Sequence, residues 1–268
     1  MGAHRGNATE RQARDVGTAA ISRSGADGNE PAIADILPPV HGGAMLDERI
    51  LFIDGEAMVI DKPSGLPVDP PRDGSISLEN HLQSLSFGFK RWPSAVHRLD
   101  RDTSGCLLLA RNPKVHKRFQ RAFENKQVGK TYVAVLDGVP AEESGTIDLA
   151  LDKVSTAEEG WRMVPKAAGR PAVTHWRVAC VRDGRGVIVF TPETGRTHQI
   201  RVHASEGIGI PISGDPVYGL GKGPMLLHAL SLRVDRGEKP PVEATAPLPP
   251  SFVSAGFGDI DLASADGV

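Results

Sequence analysis

The sequence predicts an α+β fold built on a mixed, mostly antiparallel sheet flanked by helices. Apolar runs of strand length follow one another closely from Tyr132 onward, whereas helical periodicity is confined to a few short stretches. A third observation lies at the centre of the chain. There His97-Arg98-Leu99-Asp100-Arg101-Asp102-Thr103-Ser104-Gly105 runs directly into Cys106-Leu107-Leu108-Leu109-Ala110. Carboxylates, arginines and a small-residue turn thus stand at the mouth of an apolar run too short for a helix. That run reads as a fully buried strand.

The elements follow in order. Residues 1–45 are rich in Gly, Ala, Ser, Asn, Asp and Arg without periodicity, and read as a disordered or loosely ordered tail. Ile50–Ile53 and Ala57–Ile60 flank Asp54-Gly55-Glu56 and predict a hairpin. Lys62-Pro63-Ser64-Gly65-Leu66-Pro67 forces an irregular loop. Leu78, Leu82 and Leu85 give Ser77–Leu85 the spacing of a short amphipathic helix. Asn112 and Pro113 are the cap and first residue of another helix, with Val115, Phe119, Ala122 and Phe123 inward and Lys114, Lys117, Arg118 and Arg121 outward. Strands are expected over Tyr132–Leu136, Thr146–Leu151, Val173–Val181, Val187–Thr191 and Met225–Val234, with a turn at Arg182–Gly186 and a helix over Thr197–Ala204.

With 268 residues the chain has room for one large domain or two small ones. Its two cysteines, Cys106 and Cys180, both lie in apolar runs and read as core residues, so a reducing, cytoplasmic setting is expected. No run approaches the ~18 apolar residues of a membrane helix. Met1–Arg5 has no apolar stretch behind it and does not read as a signal peptide.

The net charge of -2 argues at first against a polyanionic partner, yet its distribution argues for one. Lys90 to Lys130 holds eleven Lys/Arg against three Asp/Glu, a local net of +8, while the remainder holds twenty against thirty. Such a basic stretch is the footprint that a phosphate or nucleic-acid ligand requires. A solvated basic helix face gives the same count.

Three clusters can carry chemistry. Asp100 lies between Arg98 and Arg101, which favour its ionised form. It can act as nucleophile or base, or simply stand in a structural ion pair. Asp102, before Thr103-Ser104-Gly105, reads as a turn former. In Thr194–His203, a helix sets His198, Arg201 and Val202 along one side, with Arg201 directed into a site. A buried Arg201 would need a carboxylate, for which Asp100 is the natural candidate. His198 and His203 are five apart and do not match a helical zinc pair, so no metal is expected. Tyr132, following Lys130-Thr131, is either a half-buried core residue or a platform for a base taken out of its stack.

Together, in this order, KPSGL (62–66), HRLDRDTSG (97–105), KTY (130–132), GRTHQIRVH (195–203) and LLHA (226–229) resemble the RluA-type RNA pseudouridine synthase family. The resemblance spans about Asp47 to Phe252. It implies the pseudouridine synthase catalytic fold, with an active-site cleft, over residues 46–254. Residues 1–45 are too few and too unpatterned for the S4 domain of many relatives, and 255–268 form a C-terminal tail. It implies isomerisation of uridines in rRNA and/or tRNA, with Asp100 as the catalytic carboxylate, Arg201 as its salt-bridge partner and Tyr132 as the site tyrosine. Arg98, Arg101, Arg196, His198 and Leu227 are implied to bind substrate. The implied partner is an rRNA or tRNA stem-loop, and the enzyme a cytoplasmic monomer without metal or organic cofactor.

Two rivals fail on the sequence. The kinase echo in His97–Asp100 lacks the following Asn, a glycine-rich phosphate loop and an Asp-Phe-Gly triplet. A glycosidase pair of Asp100 and Asp102 lacks a carbohydrate platform. The remaining alternative is a non-catalytic RNA-binding or ribosome-assembly protein on the same fold.

Overall fold

The computed structural model describes residues 45–156, 160–260 and 262. The expected tail over 1–45, apart from Met45, and the last residues, 263–268, lie outside the described residues. The expected hairpin is present as β1 (Ile50–Ile53) and β2 (Ala57–Lys62). Asp54 closes its turn by accepting the N–H groups of Glu56 and Ala57, each at 2.8 Å. Where an amphipathic helix was expected, Leu78–Leu85 forms a 3-10 helix that buries Leu78, Leu82 and Leu85 as their spacing requires.

After the two-residue β3 (Ser94–Ala95) comes β4 (Ser104–Ala110), buried at every residue. Cys106, Leu108 and Ala110 pack with Val115 and Phe119 of α1 (Pro113–Glu124), while Leu107 and Leu109 pack with the leucines of the 3-10 helix. A strand covered on both faces must be apolar without alternation, as this one is. Asn112 caps α1 by accepting the Val115 N–H at 3.0 Å, with Pro113 in the first turn.

The chain continues through β5 (Val128–Val135), β6 (Ser144–Asp148), β7 (Leu151–Thr156), β8 (Gly160–Pro165), β9 (Val173–Arg182) and β10 (Arg185–Pro192). It ends with α2 (Gln199–Val202), β11 (Leu227–Arg236), β12 (Lys239–Thr245) and α3 (Pro250–Ser254). Ten strands form one sheet in the order β1-β2-β4-β11-β5-β10-β9-β6, with β3 on β4 and β12 on β11. The turn between β9 and β10 places Asp183 at φ 51° and Gly184 at φ 70°, the two-residue loop that suits a twisted hairpin. Every pairing in the sheet is antiparallel except β4 with β11, which run parallel through His228–Ser104 and Ala229–Gly105. That short parallel seam joins two antiparallel halves, and the loop entering β4 from Asp100 lies over it. No helix among the described residues is long and apolar enough to cross a membrane.

Several expectations are corrected. The strand expected over Thr146–Leu151 is split, because β6 ends at Asp148 and pairs with β9, whereas Leu151 opens the separate β7–β8 hairpin. The helix expected over Thr197–Ala204 is α-helical only from Gln199 to Val202, and a π turn over His203–Ile208 follows it. His198 stands before it in the left-handed region, at φ 52°. The tail expected from residue 255 instead begins inside the core. Phe257 is fully buried beside Phe252, with Ile260 and Leu262 packed against them.

Gly105 marks how tightly the seam is closed. Its φ is +105°, and a Cβ there would stand 2.2 Å from the Ala229 carbonyl oxygen. A side chain would therefore both strain the backbone and part the β4–β11 pairing. Gly105→Ala is expected to destabilise the protein by at least about 2 kcal/mol, read as a lower urea midpoint; an unchanged midpoint would contradict this packing.

Candidate active site

The loop before β4 is held from three sides. His97, whose pKa burial and then Lys130 pull down to about 3, is neutral and accepts the Leu108 N–H through Nε2 at 3.0 Å. The Asp100 carbonyl accepts the Thr103 N–H at 3.2 Å and closes the turn. From below, the buried Lys62 donates to the carbonyls of Pro63, Leu66 and Arg101 at 2.8, 2.9 and 3.0 Å. Ser64 Oγ donates to the Asp102 carbonyl at 2.8 Å, and the Gly65 N–H donates to that of Arg101 at 2.9 Å. The Lys62-Pro63-Ser64-Gly65-Leu66 stretch is thus a buckle under the Asp100 loop. Burial pulls the Lys62 ammonium down to about 7 against the opposing pull of Asp102, Asp100 and Asp61.

Facing this loop is α2, whose Arg201 side chain is only 5% exposed. A buried guanidinium is tolerated only when paired. Arg201 gives Nε and Nη2 to the two carboxylate oxygens of Asp215 at 2.7 and 2.8 Å, and Nη1 to Asp100 Oδ2 at 3.3 Å. Asp215, wholly buried, also accepts the N–H groups of Val217 and Tyr218 at 2.9 and 3.0 Å. Burial pushes the Asp215 carboxyl up, but Arg201 and those N–H groups outweigh it and hold its pKa below the ordinary 3.8. For Arg201, burial acts downward and is overcome by Asp215 and then Asp100, leaving its pKa raised.

Gln199 fastens the turn that leads into α2. Its Oε1 accepts from Thr194 Oγ1 and the Arg196 N–H at 2.8 and 2.9 Å, and its Nε2 donates to the Val173 carbonyl and Thr174 Oγ1 at 3.0 and 2.9 Å. This frees the backbone to take His198 through its left-handed conformation. The His198 ring lies 4.9 Å from that of Trp161, and its Nδ1 is 2.9 Å from Tyr218 Oη. Tyr218 Oη already accepts the Met163 N–H at 2.9 Å. Giving the phenol proton to Nδ1 satisfies all three groups and leaves the imidazole proton on Nε2, 3.9 Å from Asp100 Oδ2. Burial lowers the His198 pKa, which favours this neutral form.

These side chains open onto a cavity of about 390 Å³. Asp100, Tyr132, His198, Arg201 and Leu227 line it, with Arg98 and Arg196 among its polar groups. Tyr132, on β5 opposite Ala229 and Phe190, is held as the neutral phenol by burial and then by Asp100, which raise its pKa. Of the residues singled out in the sequence, Arg101 does not line the cavity. Its side chain turns back to the Gly65 carbonyl, Nε to O 3.2 Å, because its own backbone carbonyl is fastened to the buckle. Arg98 is an exposed lining residue paired with Asp69 at 2.9 Å. The arginine that meets Asp100 is therefore Arg201, not either sequence neighbour. Asp102 sits in the turn as expected, although the bond found there is made by its carbonyl to Ser64.

A family model described as RNA pseudouridylate synthase matches residues 56–206. The chain belongs to the RNA pseudouridylate synthase family. An uncharacterized RNA pseudouridine synthase of Zymomonas mobilis is 59% identical over 217 residues, covering 80% of this chain and 99% of that relative. The ribosomal large subunit pseudouridine synthase D of the same organism is 35% identical over 181 residues, covering 65% of this chain and 56% of that protein. Human RNA pseudouridylate synthase domain containing 4 has a similar solved structure, with a TM-score of 0.68 and 26% identity over 81% of this chain and 95% of its own. The chain is thus an RNA pseudouridine synthase, an isomerase, of the RluA-type family that its motifs resemble.

Sequence reasoning assigned no role to Asp215, Gln199, Tyr218 or Lys62. A signal for Asp215 was present in Gly214-Asp215-Pro216-Val217-Tyr218, a turn-forming aspartate inside a largely apolar stretch. Asp215→Asn leaves Arg201 half-paired in the interior and is expected to cost about 3 kcal/mol. Because the folded pKa of Asp215 is depressed, its contribution is present above about 3.8 and lost as the pH falls through the lowered value. Chemical denaturation between pH 7 and about pH 2 should show that acid-side loss in the wild type and a smaller one in Asp215→Asn.

Proposed function

We propose that this pseudouridine synthase converts specific uridines of an rRNA or tRNA stem-loop, with Asp100 as the catalytic carboxylate. The observation that carries the reading is the Asp215–Arg201–Asp100 chain of charges, which presents one carboxylate to the cavity. At about 390 Å³ that cavity lies within the range of small-ligand sites, about 300–1,000 Å³. It suits a single nucleoside, not a helix.

A uridine in RNA is stacked or looped and must be flipped out, at a cost of a few kcal/mol. Exposed cations offset that cost on the backbone, while Tyr132 and Leu227 give the base an apolar bed. Asp100 then attacks ribose C1′ and expels N1; in the competing route it takes the 2′ proton and leaves a glycal. Either route requires a fixed carboxylate, which the Arg201 contact at 3.3 Å orients. The uracil rotates within the cavity and C5 bonds to C1′ as the Asp100–C1′ ester bond breaks or, from the glycal, as C2′ takes its proton back from Asp100; the C5 proton is then lost as N1 gains one. The atoms balance as an isomerisation. His198, with its Nε2 proton toward Asp100, donates to the substrate in this reading, with Arg98 meeting it from the Asp100 loop and Arg196 from the turn before α2.

Asp100→Asn is expected to fold and bind RNA while losing at least about a thousandfold in pseudouridine formation, measured by tritium release from 5-tritiated uridine in total RNA. Substantial release by that variant would overturn the assignment of Asp100, whereas no release by the wild type would return the protein to the non-catalytic RNA-binding reading. Arg201→Met is expected to be nearly as inactive, with Asp100 no longer oriented. Tyr132→Phe keeps the ring and most of the activity; a large loss would instead assign proton transfer to the hydroxyl.

A further inference from the structure

A second cleft lies outside the catalytic cavity. It is lined by Lys90, Arg91 and Trp92 from the loop before β3, and by Arg111 and Pro113 at the start of α1. Trp92 is 58% exposed, and among the described residues no aromatic or cationic side chain stacks on it. Two other exposed aromatic groups are occupied: Arg111 lies 3.8 Å over Phe89, while His198 and Lys153 both approach Trp161. An unoccupied indole in one cleft with two exposed cations, Lys90 and Arg91, has the composition of a nucleobase platform, in which stacking supplies affinity and the cations meet the backbone.

The two sites are the two ends of one helix. Pro113 lines the second cleft, and Phe123 and Glu124 line the catalytic cavity. Twelve residues of α1 span about 18 Å. Between the ends, Val115 and Phe119 face the core, while Lys114, Lys117 and Arg121 are exposed. Arg118 is exposed as well but pairs with Glu56 at 2.7 Å.

From this geometry we propose that the Trp92 cleft binds an unpaired base of the substrate RNA, with the strand led along α1 to the catalytic cavity. The proposal rests on the reading of the cavity as the uridine site, and it adds a second point of contact that would help select the RNA. The ligand class is a single-stranded RNA segment flanking the target.

The test is binding of a fluorescent 20-nucleotide oligouridine to the full chain, by anisotropy over a series of salt concentrations. Trp92→Ala is expected to weaken binding about tenfold, and Trp92→Phe to restore most of it. The double variant Lys90→Gln/Arg91→Gln should lower the slope of log K against log salt by about 1.4, at about 0.7 per phosphate contact on a single strand. Binding by Trp92→Ala as tight as wild type, or an unchanged slope in the double variant, would overturn the proposal. The two readings fail separately. A wild type that binds oligouridine through Trp92 but converts no uridine defeats the catalytic assignment and supports the track. One that converts uridine while Trp92→Ala binds normally defeats the track alone.

Discussion

The site depends on keeping one guanidinium buried. Arg201 would be expensive in the interior without partners, and a single carboxylate would neutralise it completely and leave nothing to present. Asp215 removes the cost by taking Nε and Nη2 in a two-point bond and filling its remaining capacity with two backbone N–H groups. Nη1 is left for Asp100. The longer contact, 3.3 Å against 2.7 and 2.8 Å, belongs to the carboxylate that faces the cavity. Asp215 is thereby committed to structure, and Asp100 is oriented without being consumed by its partner.

An orienting charge is useful only if the loop carrying Asp100 cannot move. The fold meets this from below and beside. Lys62 spends its three protons on three carbonyls, one of them Arg101, so the residue after Asp100 is tied to a rigid strand end. Beside it, the parallel seam admits no side chain at Gly105, and Ser104 Oγ meets Nδ1 of the buried His228 at 2.9 Å. Burial pulls His228 down to about 4, so that contact joins neutral groups. KPSGL, HRLDRDTSG and LLHA are far apart in the chain, yet they converge on one joint of the sheet.

That convergence explains what was legible in the sequence. Apolar periodicity placed β1, β2, β4, α1, β9 and β10 closely, because burial on one or both faces dictates their composition. Signals failed where tertiary contacts decide. The β7–β8 hairpin is polar on much of its surface, and it gave no alternation to detect. Gln199, by capturing Thr194 and Arg196, shortened the α2 helix that local spacing extended back to Thr197. Arg98 and Arg101 were expected to act on Asp100 because they are adjacent in sequence, but their side chains are drawn to Asp69 and Gly65 instead. The expected partnership that holds is with Arg201, 101 residues away, because a buried guanidinium needs a carboxylate wherever the chain supplies one.

The local charge of +8 also divides once its members are placed. Arg101 and Arg111 donate to backbone carbonyls and hold loops together. Lys130 is largely buried and donates to the Thr194 carbonyl; burial pulls it down to about 8. Arg98, Arg118 and Lys126 each face a carboxylate. Lys90, Arg91, Lys114, Lys117 and Arg121 remain exposed without a carboxylate partner among the described residues. Those five are not scattered: two stand at the Trp92 cleft and three along α1. A solvated helix face would need no such alignment with a cavity at each end. A nucleic-acid strand does, because its charges recur at a fixed spacing, and neutralising them in a row releases counterions at every step. The polyanion footprint is therefore smaller than the sequence count suggests, but it has a direction, and the direction ends at Asp100.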